Sequence, residues 1–176
     1  DVQSDPNVKL YETSGGFMDL LLNPAPARNT SGELNPFSIR EVRFAMNYLI
    51  DRDFVVNEIL KGHGSTRIDP FGVYSPEYLN VIDTVQSFGF RHSPELAQKM
   101  IAEALTRAGA NKDIGSGKWT YAGRPLTIKI LIRQDISYSK SVGEAIASAL
   151  ENLGFNVVRD YGDLNKANTM IYGSDP

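Results

Sequence analysis

Residues 36–62 read PFSIREVRFAMNYLIDRDFVVNEILKG, and this stretch decides the fold. Ile39, Val42, Ala45, Met46, Leu49 and Ile50 recur at steps of three and four, which lays them along one stripe of a helix. Ser38 is the expected cap, since a hydroxyl there can accept a bond from an unpaired amide of the first turn. Asp51 interrupts the apolar run and is expected to cap a second helix, with Phe54, Val55, Ile59 and Leu60 turned inward. Gly62 suits the left-handed residue that ends such a helix. Two amphipathic helices with almost no linker need a large apolar body to pack on. The expectation is a pair of core helices in an α/β unit.

Outward from that stretch, the 176 residues suffice for one domain that buries roughly 70% of its unfolded surface. Hydrophobic residues make up 41% and charged residues 22%, ordinary for a globular protein. The formal charge is −3 with scattered Lys and Arg, so no basic stripe argues for nucleic acid. There is no cysteine, which excludes disulfides, thiolate metal sites and a cysteine nucleophile. No apolar run approaches the ~18 residues of a membrane span. The chain opens at Asp1 in polar sequence and is expected to be a mature form or a piece of something longer.

Val8, Leu10 and Tyr11, then Ser14 to Gly16, then Phe17 to Leu22 read as strand, bend, strand. Residues 23–35 read as a loop. The Gly- and Pro-punctuated stretch from His63 to Phe90 reads as irregular, yet its aromatic residues are expected to be buried. Ser93-Pro94-Glu95 starts a helix whose inner face is Leu96, Ala97, Met100, Ile101, Ala104, Leu105 and Ala108, ended by Gly109. Residues 111–123 are turn-rich, with Trp119 and Tyr121 as their apolar contribution. Leu126, Ile128, Ile130 and Ile132 alternate along a strand. A helix with Val142, Ile146, Ala149, Leu150 and Leu153 inward follows, then a strand at Phe155 to Val158. That is a parallel crossover unit, expected to be right-handed. Residues 163–168 read as a short helix or turn and 169–172 as a last strand.

The stretch VRFAMNYLIDRDFVVNEILKGHG also resembles the signature of extracellular solute-binding proteins of family 5, the substrate-binding subunits of peptide, nickel and related ABC importers. Val42, Arg43, Ala45, Tyr48, Ile50, Asp51, Arg52, Gly62 and Gly64 fill the signature's places. The resemblance extends through PELAQKMIAEALTRAGA and PLTIKILIRQDISYSKSVGEAIASALENLGFNVV. It implies an α/β fold, a mixed sheet with packed helices, as one lobe of a two-lobed type II periplasmic-binding-protein-like structure. Residues 1–176 would form that single lobe, excised from a longer protein. The implied activity is capture of a peptide or other small solute outside the membrane, by lobe closure, for delivery to a membrane permease. The implied location is extracytoplasmic, periplasmic or at the cell surface, including a lipid-anchored form. No enzyme activity, cofactor, metal or nucleic acid is implied.

The expected ligand-binding residues are Gly64, Ser65, Thr66, Phe71 and Tyr74 in the loop after the glycine pair, and Tyr172, Gly173, Ser174 and Asp175 at the end. The resemblance suggests that Asp175 meets a ligand amine. The family's tryptophan is replaced there by Ser174, and a solvated acid is the plainer reading. Tyr172 fits core packing better than the cleft. His63 and His92 lack partners at ligand spacing and read as surface or capping residues. Gly115-Ser116-Gly117-Lys118 lacks the first glycine and final hydroxyl of a phosphate loop, so it reads as a hairpin turn. Asn29-Thr30-Ser31 fits a glycosylation acceptor. Asp51-Arg52-Asp53 reads as caps and an ion pair. Two rival classes are a small α/β hydrolase-like enzyme using Ser137 or Ser139, which lacks a Gly-x-Ser-x-Gly elbow, and a stand-alone interaction domain.

Overall fold

The computed structural model describes residues 6–9, 16–27, 33–71 and 75–173. The order is a 3₁₀ turn (Pro36–Ser38), α1 (Arg40–Leu49), α2 (Arg52–Phe54) widening into a π-turn (Val55–Ile59), α3 (Pro76–Ser87) and α4 (Pro94–Arg107). There follow β1 (Asn111–Lys112), β2 (Trp119–Tyr121), β3 (Arg124–Pro125), β4 (Thr127–Arg133), α5 (Ser137–Asn152), β5 (Asn156–Gly162) and α6 (Leu164–Tyr172). Parallel and antiparallel pairings are both present: β1-β2-β3 form an antiparallel sheet, and β4 pairs with β5 in parallel from Thr127–Asn156 to Arg133–Gly162.

One core joins these parts. Val42, Ala45, Met46 and Leu49 of α1 face Ala97, Ile101, Ala104 and Leu105 of α4. Leu126, Ile128, Ile130 and Ile132 place the inner face of β4 against Val142, Ile146, Ala147 and Leu150 of α5. The α5 backbone approaches closely because residue 143 is glycine. A β-carbon there would meet Ile132 Cγ2 at 2.8 Å. α4 and α5 end alike, with left-handed Gly109 and Gly154. Their amides donate to Thr106 and Glu151, and the next residues, Ala110 and Phe155, donate to Leu105 and Leu150. That is a Schellman ending with its apolar contact.

Trp119 ties the small sheet to this ending. Its Nε1 donates to Leu153 O at 3.1 Å and its amide to Gly154 O at 2.9 Å. Trp119→Phe is expected to cost about 1–3 kcal/mol, because it strips a buried carbonyl of a donor. Urea unfolding measures it; an unchanged midpoint would contradict this account.

Several expectations are corrected. Ser38 does not cap α1. It lies inside the 3₁₀ turn and its hydroxyl donates to Asn35 O at 2.7 Å, while Asn35 Oδ1 accepts from Phe37 N. Ser93 likewise makes no side-chain cap; its amide is spent on Tyr48 O at 2.8 Å. Phe54 is 44% exposed. It sits about 100° round the helix from Val55, and Val55 is the one packed on the core. Leu96 is also exposed. The 63–90 stretch contains α3, started by Ser75, whose Oγ accepts from Tyr78 N at 3.2 Å, and by Pro76. Its apolar spacing is weak because none of its residues is fully buried. Residues 169–172 are helical, since Asp163 caps α6 through Lys166 N and the helix runs on to Tyr172. Phe17 to Leu22 form no strand: among the described residues no strand pairs with them, though Leu20 and Leu22 pack on the core. Leu10, Tyr11, Ser14, Gly15 and the Asn29-Thr30-Ser31 triplet lie outside the described residues.

Candidate functional site

The loop at 61–71 begins where the helix widens. Leu60 N donates to Val55 O, and Gly62 N to Val56 O, both at 2.9 Å. Lys61 and Gly62 are both left-handed, with φ of 54° and 83°, which turns the chain sharply out of the helix. Gly64 follows under the Leu60 side chain; a β-carbon there would stand 3.3 Å from Leu60 Cδ1. Gly64, Ser65 and Thr66 are exposed. Phe71 is half-buried, and its amide donates to Asp69 Oδ1 at 2.9 Å, which closes a local turn. These four expected residues therefore lie together in one accessible loop. Tyr74 lies outside the described residues.

The other expected group ends α6. Tyr172 is 79% exposed, which corrects its reading as a core residue. Its helix turns Ala167, not Tyr172, into the body. Gly173 caps the helix by donating to Thr169 O at 2.9 Å, and a β-carbon on it would overlap that same oxygen. Glycine is the residue this ending tolerates. Ser174 and Asp175 lie outside the described residues, so the ligand-amine role of Asp175 has no geometry here.

The carboxyl edge of β4 and β5 is the edge at which open α/β sheets present ligands. Gln134 N donates to Gly162 O at 2.9 Å there. Arg133 grips Asp135 through two bonds, Nε–Oδ1 at 3.0 Å and Nη2–Oδ2 at 2.6 Å. The guanidinium holds the Asp135 carboxyl below the usual carboxylate range, and the Arg133 pKa is raised in return. Sequence reasoning passed over this pair, although the spacing Arg-x-Asp at a strand end was its signal. Ser137 and Ser139 begin α5 at the same edge. Neither is on a strained elbow: among the described residues, the non-glycine residues with positive φ are Lys61 and Ala122.

The outer face of α5 and β5 carries a charge network. Arg159 binds Glu144 at 2.9 Å and Glu151 at 2.5 Å; the Tyr161 hydroxyl donates to Glu144; Asp160 pairs with Lys166 and Lys129. The Tyr161 hydroxyl and then Arg159 lower the Glu144 pKa, Arg159 lowers that of Glu151, and Lys166 then Lys129 lower that of Asp160. Depressed carboxylates stabilise the fold above their unfolded pKa of about 4, and lose that contribution as pH falls through the lower folded value. Arg159→Met is therefore expected to flatten the fall of Tm between pH 5 and pH 2. Parallel pH curves for variant and parent would refute this.

Asp51 Oδ1 caps α2 by accepting from Phe54 N at 2.9 Å, as expected, and its Oδ2 meets His92 Nδ1 at 3.0 Å. Arg52 does not pair with its flanking acids. It donates to Asn47 O at 3.0 Å and Asn47 Oδ1 at 2.8 Å, and burial lowers its pKa. The pattern that decided the fold is a structural brace. The Gly-Ser-Gly-Lys segment is a hairpin turn built on Asp113, which accepts from Ser116 N and Oγ. Among the described residues no three His, Cys, Asp or Glu side chains gather at metal-binding distance, and no helix is long and apolar enough to cross a membrane.

Residues 1–170 match the family described as bacterial extracellular solute-binding proteins, family 5 Middle. The chain belongs to that family. Proteins of family 5 are solute binders of the extracytoplasmic space. The oligopeptide-binding protein AppA of Bacillus subtilis, solved with a nonapeptide, superposes with TM-score 0.62 at 22% identity, over 74% of this chain and 25% of that one. A periplasmic oligopeptide-binding protein of Thermotoga maritima gives TM-score 0.59 at 27% identity, over 76% and 25%. Heme-binding protein A of Haemophilus influenzae is 32% identical over 104 residues, 58% of this chain and 17% of that protein. This family 5 chain thus has a mixed α/β fold matching part of the type II periplasmic-binding fold of its neighbours. It spans about a quarter of the length of those solved structures and less of the curated relative.

Proposed function

We propose that this chain supplies one lobe of the substrate-binding component of an ABC importer. In the intact protein two lobes close around a peptide or another small solute outside the membrane and present it to a permease. The observation that carries this reading is the superposition of three quarters of the chain on a quarter of an oligopeptide-binding protein at 27% identity. The loop Gly64, Ser65, Thr66 and Phe71, with Tyr172 and Gly173, would line the wall. Such a wall works by a few polar groups and rings in a largely preformed cleft, and closure is a hinge motion. Binding, release and transfer involve no bond chemistry, so the protein is a binder and not an enzyme.

Native mass spectrometry of the full-length protein, followed by calorimetry with peptides, oligosaccharides and metal chelates, tests the proposal. The expected result is saturable binding of one class with a fall in radius of gyration on binding. A full-length protein that binds none of them and keeps one radius would overturn it. Thr66→Trp, which crowds the exposed loop, is expected to weaken binding at least tenfold with the unfolding midpoint unchanged; unaltered affinity would remove this loop from the wall.

A further inference from the structure

The loop after the π-turn carries an unanswered donor. Arg67 Nη2 is shielded from solvent and meets no hydrogen-bond acceptor among the described residues. Its guanidinium lies 5.5 Å from the centroid of the Phe17 ring, which is itself 61% exposed. A buried donor without an acceptor is costly, more so on a charged group. The ring's attraction for a cation offsets only part of that cost. Asp69, the carboxylate two residues on, has its Oδ1 committed to Phe71 N.

The cover over Arg67 is easy to move. Phe17 lies in a stretch without regular secondary structure, pairs with no strand among the described residues, and is followed by Leu20 and Leu22, which pack on the core. A β-carbon on the adjacent Gly16 would meet nothing within 4 Å. The ring can swing aside without breaking a backbone ladder.

We propose that Arg67 is an anion-recognising residue of this surface. A carboxylate, or another planar oxyanion of the solute, displaces the Phe17 ring and takes the free guanidinium hydrogens in a two-bond pair. The planar fork of arginine matches two oxygens in one plane, which a lysine cannot reproduce. Exposed Ser65 and Thr66 offer further hydroxyls beside it. The inference rests on the 61–71 loop being a wall of the ligand cleft, and it names the ligand's class: an acidic solute, or one with a free carboxylate.

Calorimetric titration of the full-length protein with succinate, and with the neutral succinamide, tests it. The expected result is binding of succinate and not of succinamide, weakened at least tenfold by Arg67→Gln and less by Arg67→Lys. The ligand-free unfolding midpoint of Arg67→Gln should equal or exceed the parent's, because the variant removes an unpaired buried donor. Equal succinate affinity in parent and Arg67→Gln, or no succinate binding by the parent, would overturn the inference. Arg67-dependent succinate binding in a protein with one fixed radius would overturn the importer reading alone. A solute captured equally well by Arg67→Gln would overturn this inference alone.

Discussion

Replacing Phe155 by alanine is expected to lower the unfolding free energy by about 3–5 kcal/mol. Phe155 is fully buried and is the largest of the side chains shut off completely from solvent, among the described residues. It sits where α5 ends and β5 begins, and its backbone is held at both ends. Its amide donates to Leu150 O at 3.2 Å, and its carbonyl accepts from Lys118 Nζ at 3.3 Å. Those tethers keep the chain from collapsing into the space the ring vacates, so the cavity persists and the cost falls in the upper part of the range. Since whole domains are stable by only about 5–15 kcal/mol, the loss is a large share of the total. Trp119 is the single tryptophan and is buried in the same core, so its fluorescence reports the transition. A loss below about 1 kcal/mol would mean that the site relaxes and the core is looser than described.

Gly154→Val is expected to cost about 2–5 kcal/mol, from two sources that add. The residue has φ of 101°, a conformation a β-branched side chain resists. Its β-carbon would also overlap the carbonyl oxygen of Gly117, with Trp119 Cδ1 at 3.4 Å behind it. Gly117 belongs to the hairpin turn, so the clash would push the small sheet off the end of α5. Gly123 supplies the control. It has φ of 78° with nothing within 4 Å of its would-be β-carbon. Gly123→Ala therefore isolates the backbone strain, about 1–2 kcal/mol. Equal costs for the two variants, read from urea midpoints, would show that the contact with Gly117 carries no energy. Because Gly154 and Phe155 are adjacent, their double variant should cost less than the two singles together.

The surface readings fared differently from the core readings. Gly64, Ser65 and Thr66 are exposed, and the neighbouring Arg67 carried no pattern in the sequence. An arginine between Thr66 and Ile68 looks like any solvated charge. In the fold one of its nitrogens is shielded from solvent, and its guanidinium lies against Phe17, fifty residues earlier. Tyr172 failed in the other direction. Its ring suggested the core, but α6 extends one turn past the point where the apolar residues suggested a strand, and the ring ends in solvent. The aromatic residues of the 63–90 stretch are not buried as expected: Phe71, Tyr78 and Phe90 are half-buried and Phe88 is 46% exposed, because Phe88 and Phe90 pack on the surface of α1 and not in the core. Phe88 and Phe90 stack at 5.3 Å and meet Phe44 and Tyr48 of α1 edge-on, which fastens α3 to the helix that decided the fold.

By itself the sequence determined whatever depends on spacing along the chain. The stripe of α1, the alternation of β4, the face of α5 and the glycines that end α4 and α5 follow from a period of 3.6 or 2 and from the steric freedom of a missing β-carbon. The tertiary structure decided which polar groups meet. Arg52 turned to Asn47 and not to its flanking acids, Asp51 reached His92 far along the chain, and Arg67 came to lie against Phe17 with its Nη2 lacking an acceptor among the described residues. The physical reason is reach. Periodicity is imposed by bonds between near neighbours, whereas a long charged side chain takes its partner from whatever packing brings within about 3 Å of its tip.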